Sequence, residues 1–216
     1  ETGEPLASLD GRLVTEVRTA AVSAVATQHL ARPDATALAI LGAGVQARSH
    51  LAALRLVRAF RDVRVWSPRH AGAFAQEFGV RAAASAEEAV RGADVVVTAT
   101  TSRTPVLRGE WLEPGSHINA VGAARPDWRE LDDEVMRRAT IYVDSREAAL
   151  AESGDIIAGG AIAGELGEVV AGTTPGRTSS AQITLFKSLG LAVEDVATAE
   201  LLCRKAGLLG NGGEKP

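Results

Sequence analysis

Leu41-Gly42-Ala43-Gly44-Val45-Gln46-Ala47 follows a continuous apolar run at 37–41 and opens a stretch at 45–60 that reads as a helix. The run suits a strand buried on both faces. Strand, Gly-x-Gly-x-x-Ala and helix together form the dinucleotide fingerprint. Gly42 permits the tight turn, Gly44 lets a pyrophosphate approach the backbone, and Ala47 lets the helix pack close to the strand. The helix start supplies free N–H groups and partial positive charge for phosphates. The bare motif also suits a ligand-free turn in a helix-on-sheet domain. The strand before it, the helix after it and similar units downstream favour a bound dinucleotide.

Upstream, 14–29 reads as a helix with Val14, Val17, Ala21, Val22 and Val25 at three- and four-residue spacing, broken by Arg32-Pro33-Asp34. A short strand is expected at 6–9, after a turn-like opening, Glu1-Thr2-Gly3-Glu4-Pro5, that resembles the interior of a larger protein. Downstream, strands are expected at 63–66, 80–84, 93–98, 117–121 and 140–143, and helices at 70–78, 146–153 and 165–170. Ser85-Ala86-Glu87-Glu88 is a capping box opening a short helix to Arg91. Residues 172–180 form an exposed polar loop, 186–206 a long helix, and 207–216 a fraying tail. This alternation predicts an α/β fold: a Rossmann-type, doubly wound parallel sheet with flanking helices, its ligand beyond the carboxyl ends of the strands.

The 216 residues are 46% hydrophobic and 23% charged, which excludes wholesale disorder. A net charge of -4 gives no electrostatic reason to bind nucleic acid or an anionic membrane, and no apolar run has spanning length. The single cysteine, Cys203, excludes an internal disulfide and a cysteine-rich zinc site and fits a reducing, cytoplasmic setting. It sits among Leu201, Leu202 and Ala206 as a packed thiol, and the four histidines show no metal-ligand spacing. His117 is expected to be structural.

An NAD site usually has an acid at the end of the second strand. Here Val63-Arg64-Val65-Trp66 runs into Ser67-Pro68-Arg69-His70. Ser67 and Arg69 suit the 2′-phosphate of NADP, although Arg69 also suits plain solvation of the next helix. Thr98-Ala99-Thr100-Thr101-Ser102 ends a buried strand and either lines the cofactor or forms a solvated turn. Ala120-Val121-Gly122-Ala123 offers backbone to the same cleft. In Arg125-Pro126-Asp127-Trp128-Arg129-Glu130-Leu131-Asp132 a guanidinium near the cofactor, Arg125 foremost, suits a substrate carboxylate; a surface salt-bridge cluster capping the next helix fits equally. The acidic loop with Glu152, Gly154 and Asp155 is open to the same two readings.

Arg18-Thr19-Ala20-Ala21-Val22-Ser23-Ala24, the Gly42–Ala47 motif and His117-Ile118-Asn119-Ala120-Val121-Gly122-Ala123 resemble the ornithine cyclodeaminase/mu-crystallin family. So do Val143-Asp144-Ser145, Glu147-Ala148-Ala149-Leu150, Glu152-Ser153-Gly154-Asp155 and Phe186-Lys187-Ser188-Leu189-Gly190. The resemblance covers nearly the whole chain. It implies an NADPH-dependent reductase of cyclic ketimines, acting on small cyclic imine carboxylates as a homodimer and also binding thyroid hormone (triiodothyronine). By position it assigns Arg18, Ala43, Val45, Gln46, Thr100, Thr101, Val121 and Ser188 to NADPH and Glu152 to the hormone or substrate pocket. It also implies a substrate-gripping Arg, a catalytic Lys and a dimer sheet in a segment preceding residue 1. Residues 1–30 then read as the remnant of a substrate and dimerisation domain with its linking helix, 31–180 as the dinucleotide-binding domain, and 181–216 as a helix returning to the first.

Two departures matter. The family's Asn-Arg-Thr after the second strand is Ser67-Pro68-Arg69, and the catalytic Asp of ornithine cyclodeaminases is replaced by Ala123-Ala124. The second argues against ornithine deamination. Other readings are a non-catalytic NADPH- and triiodothyronine-binding protein or lens crystallin, an inactive truncated form, and an NAD-linked alanine dehydrogenase relative.

Overall fold

A computed structural model describes residues 5–209. Eight strands form one sheet: β1 (Ala37–Leu41), β2 (Asp62–Trp66), β3 (Arg81–Ala82), β4 (Val95–Thr98), β5 (His117–Ala120), β6 (Thr140–Val143), β7 (Ile162–Glu165) and β8 (Thr184–Lys187). Their order is β3-β2-β1-β4-β5-β8-β6-β7, with every pairing parallel. The connecting helices are α1 (Gly11–Leu30), α2 (Val45–Val57), α3 (Ala71–Phe78), α4 (Ala86–Val90), α5 (Asp133–Arg138), α6 (Arg146–Glu152), α7 (Gly154–Ile157), α8 (Leu166–Val170) and α9 (Ala192–Lys205). The chain winds outward from β1 in one direction, then restarts at β4 in the other. Its switch point therefore lies between β1 and β4.

The central strands are apolar on both faces because helices cover both. Leu38, Ile40, Val95 and Val97 pack with Leu51, Leu54 and Phe74. Ala39, Leu41, Val96, Ile118 and Leu185 face a second core with Met136 and Ile141. Truncating Leu38, fully buried, to Ala is expected to cost about 2–5 kcal/mol. The Asp10 carboxylate caps α1, accepting from the N–H of Arg12 at 2.9 Å. The buried face of α1 is small and polar, including Ala20, Ser23, Ala24 and Thr27, and brings the helix close to its neighbours. His50 on α2 meets the Ser23 hydroxyl at 2.9 Å, and Asn119 in β5 donates to Thr27 at 2.8 Å.

Two expected elements are corrected. Residues 6–9 form no strand: Leu6 and Leu9 are exposed, and among the described residues no strand pairs with them. The expected helix at 186–206 is a strand followed by a shorter helix. Phe186 and Lys187 belong to β8, which inserts between β5 and β6, and Gly190 at φ 87° turns the chain before α9. The spacing of Phe186 and Leu189 imitates a helix, but the strand gains ladder bonds on both edges. This strand lies beyond the boundary expected at 180/181. The 172–180 loop is largely exposed, as expected, but Arg177 runs inward to the carbonyls of Leu30 and Gly115 and to the Thr184 hydroxyl. Helix α2 ends at Val57, short of Phe60. Strand β7 and the short helix α7 add to the expected elements. Ser85 caps α4 as expected, accepting from Glu88 N–H at 3.0 Å, but the Glu88 carboxylate reaches back to Ala84 N–H rather than to Ser85. The expected tail at 207–216 lies mostly outside the described residues, as do the first four of the opening turn.

Candidate functional site

The carboxyl edge of the sheet presents, in spatial order, Ser67 after β2, Gly42 after β1, Ala99 after β4, Val121 after β5 and Ser188 after β8. A cleft of about 400 Å³ opens over the switch point. Its walls are Gly42 to Gly44, Trp66 to His70 and Ala99 to Ser102. The fingerprint glycines behave as their roles require. Gly42 has φ 119°, and a Cβ there would lie 2.3 Å from the Ala99 carbonyl oxygen, so only glycine lets the two loops touch. A Cβ on Gly44 would meet nothing within 4 Å, and no side chain caps the start of α2. The first N–H groups of a thirteen-residue helix thus face open space, as an anion site requires. The cleft fits a dinucleotide diphosphate.

Ser67 lines the wall beside Arg69 and His70, both exposed, and the end of β2 has no acid. The acid of that strand, Asp62, sits at its other end and is bound to Arg64 at 2.7 Å. Thr100 and Thr101 line the cleft. Val45, Gln46, Val121 and Ser188 do not line it. Gln46 turns inward, its Oε1 buried without a hydrogen-bond partner, and Val45 is exposed at the head of α2. Val121 and Ser188 are held by backbone bonds to Thr98 and Ala120, at 2.9 Å each, one and two strands along the same edge. Arg18 lies farther along still: it is bound to Glu194 at 3.0 Å and Asp195 at 3.1 Å on α9 and packed against Gly190.

The two substrate candidates stand on adjoining segments. Gly154 N–H donates to the Arg125 carbonyl at 3.1 Å, drawing the end of α6, with exposed Glu152, against the 125–128 loop. Gly154 is required there, because a Cβ would lie 2.1 Å from the Trp128 carbonyl oxygen. Trp128 is flanked by the guanidinium groups of Arg125 and Arg103, each 5.1 Å from its ring. The rest of that charged segment takes the salt-bridge and capping role. Asp132 caps α5 through Val135 N–H at 2.8 Å, and Arg129 pairs with Asp133 at 2.8 Å. Ala123, in the place of the deaminase acid, has φ 56°, the one positive value at a non-glycine among the described residues.

Three charged side chains lie beneath this edge at 0% exposure: Glu130, Asp155 and Lys187. Glu130 accepts from Thr98 at 2.8 Å, from Thr100 N–H at 2.7 Å and from the Thr100 hydroxyl at 2.5 Å. Asp155 accepts from the N–H groups of Glu130 and Leu131 at 3.0 Å. Lys187 Nζ faces Asp155 at 3.4 Å and donates to the Gly122 carbonyl. Burial raises the Glu130 carboxyl above its ordinary value, against the pull of Lys187 and the hydrogen bonds from Thr100 and Thr98. None of the three was singled out for a role of its own from sequence. The available signal was Lys187: a lysine ending the apolar run Ile183-Thr184-Leu185-Phe186 requires buried counter-charge.

His117 is structural, as expected: it is bound to Thr184 at 3.0 Å and fully buried, and burial lowers it to about 3. Cys203 is a buried free thiol. Among the described residues no group of three or more His, Cys, Asp or Glu is placed to hold a metal ion, and no helix is long and apolar enough to cross a membrane.

Residues 1–207 match the profile of the Ornithine cyclodeaminase/mu-crystallin family. The chain is 53% identical over 205 residues to the ketimine reductase mu-crystallin of Macropus fuliginosus, covering 93% of this chain and 65% of the relative. It is 43% identical over 223 residues to a Delta(1)-pyrroline-2-carboxylate reductase of Bacillus cereus, covering 95% and 68%. Among solved structures, the Thermococcus litoralis Delta(1)-pyrroline-2-carboxylate reductase in complex with NADH and L-proline superposes with TM-score 0.89 at 43% identity, over 97% of this chain and 71% of that one. An archaeal alanine dehydrogenase dimer with bound NAD gives TM-score 0.89 at 38% identity, over 97% and 70%. The chain spans 65% of the length of the mu-crystallin relatives it matches.

Proposed function

The chain belongs to the ornithine cyclodeaminase/mu-crystallin family, and on that premise we propose that it is the cofactor-binding part of an NADPH-dependent reductase of cyclic ketimines. The observation that carries the proposal is the uncapped start of α2, opening onto the switch-point cleft beside Ser67 and Arg69. The start of α2, immediately behind Gly44, would hold the diphosphate through its free N–H groups, with Gly42 and Gly44 leaving room for it. Ser67 and Arg69 would hold a 2′-phosphate, which an acid at the same place would repel. Thr100 and Thr101 would flank the nicotinamide side. When bound, the reduced nicotinamide supplies hydride to an imine carbon.

The chain's own part is to orient the cofactor and to shape the mouth of the cleft. Arg125 and Glu152 are exposed on segments joined by the Gly154 N–H bond to the Arg125 carbonyl, which supports a role in receiving a substrate carboxylate or a hormone. The substrate-gripping Arg, the proton-donating Lys and the dimer contact would come from the part of the relatives that this chain does not span. Residues 1–30 and the stretch that follows β8, which carries α9, are taken as returning to that second domain. Exposed Leu13 and Val17 on α1 and Val193 and Val196 on α9 support this division. We place the protein in the cytoplasm, as a homodimer.

Titration of the chain with NADPH and NADH tests the cofactor reading, and tighter uptake of NADH would overturn the phosphate choice. NADPH oxidation by the complete protein, with piperideine- and thiazoline-type imine carboxylates, tests the activity. No turnover with either class would overturn it. The adjoining Arg125 and Glu152 segments also admit a second reading, triiodothyronine binding without turnover; equilibrium dialysis with and without NADPH separates the two.

A further inference from the structure

We propose that Glu130 is a positioning residue for the dinucleotide cleft, holding the Ala99–Ser102 wall from beneath through Thr98 and Thr100. The inference rests on the cofactor reading above and assigns a task that the cleft-lining residues cannot perform themselves.

Glu130 touches no open space. Its two oxygens take three hydrogen bonds from one short stretch, Thr98 and Thr100, on either side of Ala99. Ala99 is thereby fixed where its carbonyl contacts Gly42, the first glycine of the phosphate-binding turn. The carboxylate thus ties the wall after β4 to the turn after β1, the two edges of the switch point. Space for it comes from Gly122, where a Cβ would lie 2.4 Å from the Glu130 carboxyl carbon. Its own backbone is anchored by Asp155, which accepts from Glu130 N–H.

Lys187 supplies the counter-charge and is shared with Asp155, so the lysine keeps a partner when Glu130 is neutralised. A buried ion group is a poor investment in stability alone, since apolar replacements of similar shape are often as stable. Its use here is geometric: charged acceptors hold N–H and O–H donors at short, directed distances. Outer partners of this kind orient the residues that touch a bound group.

The test is Glu130→Gln, with nucleotide binding followed by energy transfer from tryptophan, since Trp66 lines the cleft. NADPH and NADH are both titrated, and ligand-free thermal stability is recorded alongside. The dissociation constant of the tighter nucleotide is expected to rise about tenfold, as loss of an outer partner does. Thr98→Val, which removes a hydroxyl bound to Glu130 but outside the cleft wall, is expected to weaken binding similarly, and the double variant no further, because both act through one contact. A dissociation constant within twofold of the unaltered chain overturns the inference, even if the melting temperature falls. If Glu130→Gln does not fold, Thr98→Val alone decides by the same criterion, since Thr98 donates to Glu130 and does not line the cleft. Should the unaltered chain bind neither nucleotide, the cofactor reading falls and this inference with it.

Discussion

At the carboxyl edge of the sheet, the β1–β2 side and the β5–β8 side use polar groups in opposite ways. Around Gly42, Gly44, Ser67 and Arg69, helix N–H groups and a guanidinium face open space, and glycine keeps that space clear. Around Glu130, Asp155 and Lys187, every charge turns toward another group of the chain, and glycine at 122 makes room for a carboxylate instead. Donors left without internal partners mark where a ligand belongs. Donors and acceptors spent on one another mark the frame that holds the ligand's walls. Thr98 and Thr100 are the seam between the two.

The sealed side offers the largest test. Lys187→Met removes the cation paired with buried Asp155 and acting on buried Glu130, and is expected to destabilise the chain by about 3–5 kcal/mol, measured by urea unfolding. A loss below about 1 kcal/mol would mean that the charges are not truly sealed.

Acid probes the same interior without mutation. His50 is lowered to about 4 and His117 to about 3, both by burial, so the unfolded chain takes up protons from pH 6.5 downward while the folded chain does not. Stability is therefore full above 6.5 and falls as pH drops toward the folded values. The two together lose roughly 3 kcal/mol by one unit below that starting point. Glu130 runs the other way: its raised value stabilises the fold below the ordinary carboxylate range, and that contribution fades as pH rises. A stability profile flat between pH 5.5 and 7 would contradict the burial of both histidines.

The open side responds through binding more than folding. Gly42→Ala puts a Cβ against the Ala99 carbonyl at a φ unsuited to it. It is expected to cost about 1–3 kcal/mol in thermal stability and to abolish nucleotide uptake in a titration. Retained uptake would show that the turn is not the diphosphate cradle. The smallest effect belongs to Arg69→Ala, expected to reduce any preference for NADPH over NADH about tenfold, roughly 1.4 kcal/mol, with folding unchanged. An unaltered preference would move the 2′-phosphate contact elsewhere.

Much of this was legible beforehand where local chemistry and tertiary role agree. Val95 to Val97 had to be a buried strand, and it is. Residues 186–189 misled because apolar spacing over so few residues cannot distinguish a helix from a strand, and only the vacancy between β5 and β6 resolves it. Arg125 and Glu152 stand in separate stretches of sequence, and the Gly154 N–H bond to the Arg125 carbonyl brings those stretches together. Arg18 was picked by position, and the fold binds it to α9.

What the order of residues determined unaided was the strand–turn–helix around Gly42, because that geometry depends on neighbours along the chain: an apolar run, small residues, and a helix start without a capping side chain. What only the assembled structure decided was the company kept by Glu130, Asp155 and Lys187. The ion pair of Asp155 and Lys187 spans 32 positions along the chain and 3.4 Å in space. Charge selects its partner by distance in three dimensions, and that distance does not exist until the sheet has closed around it.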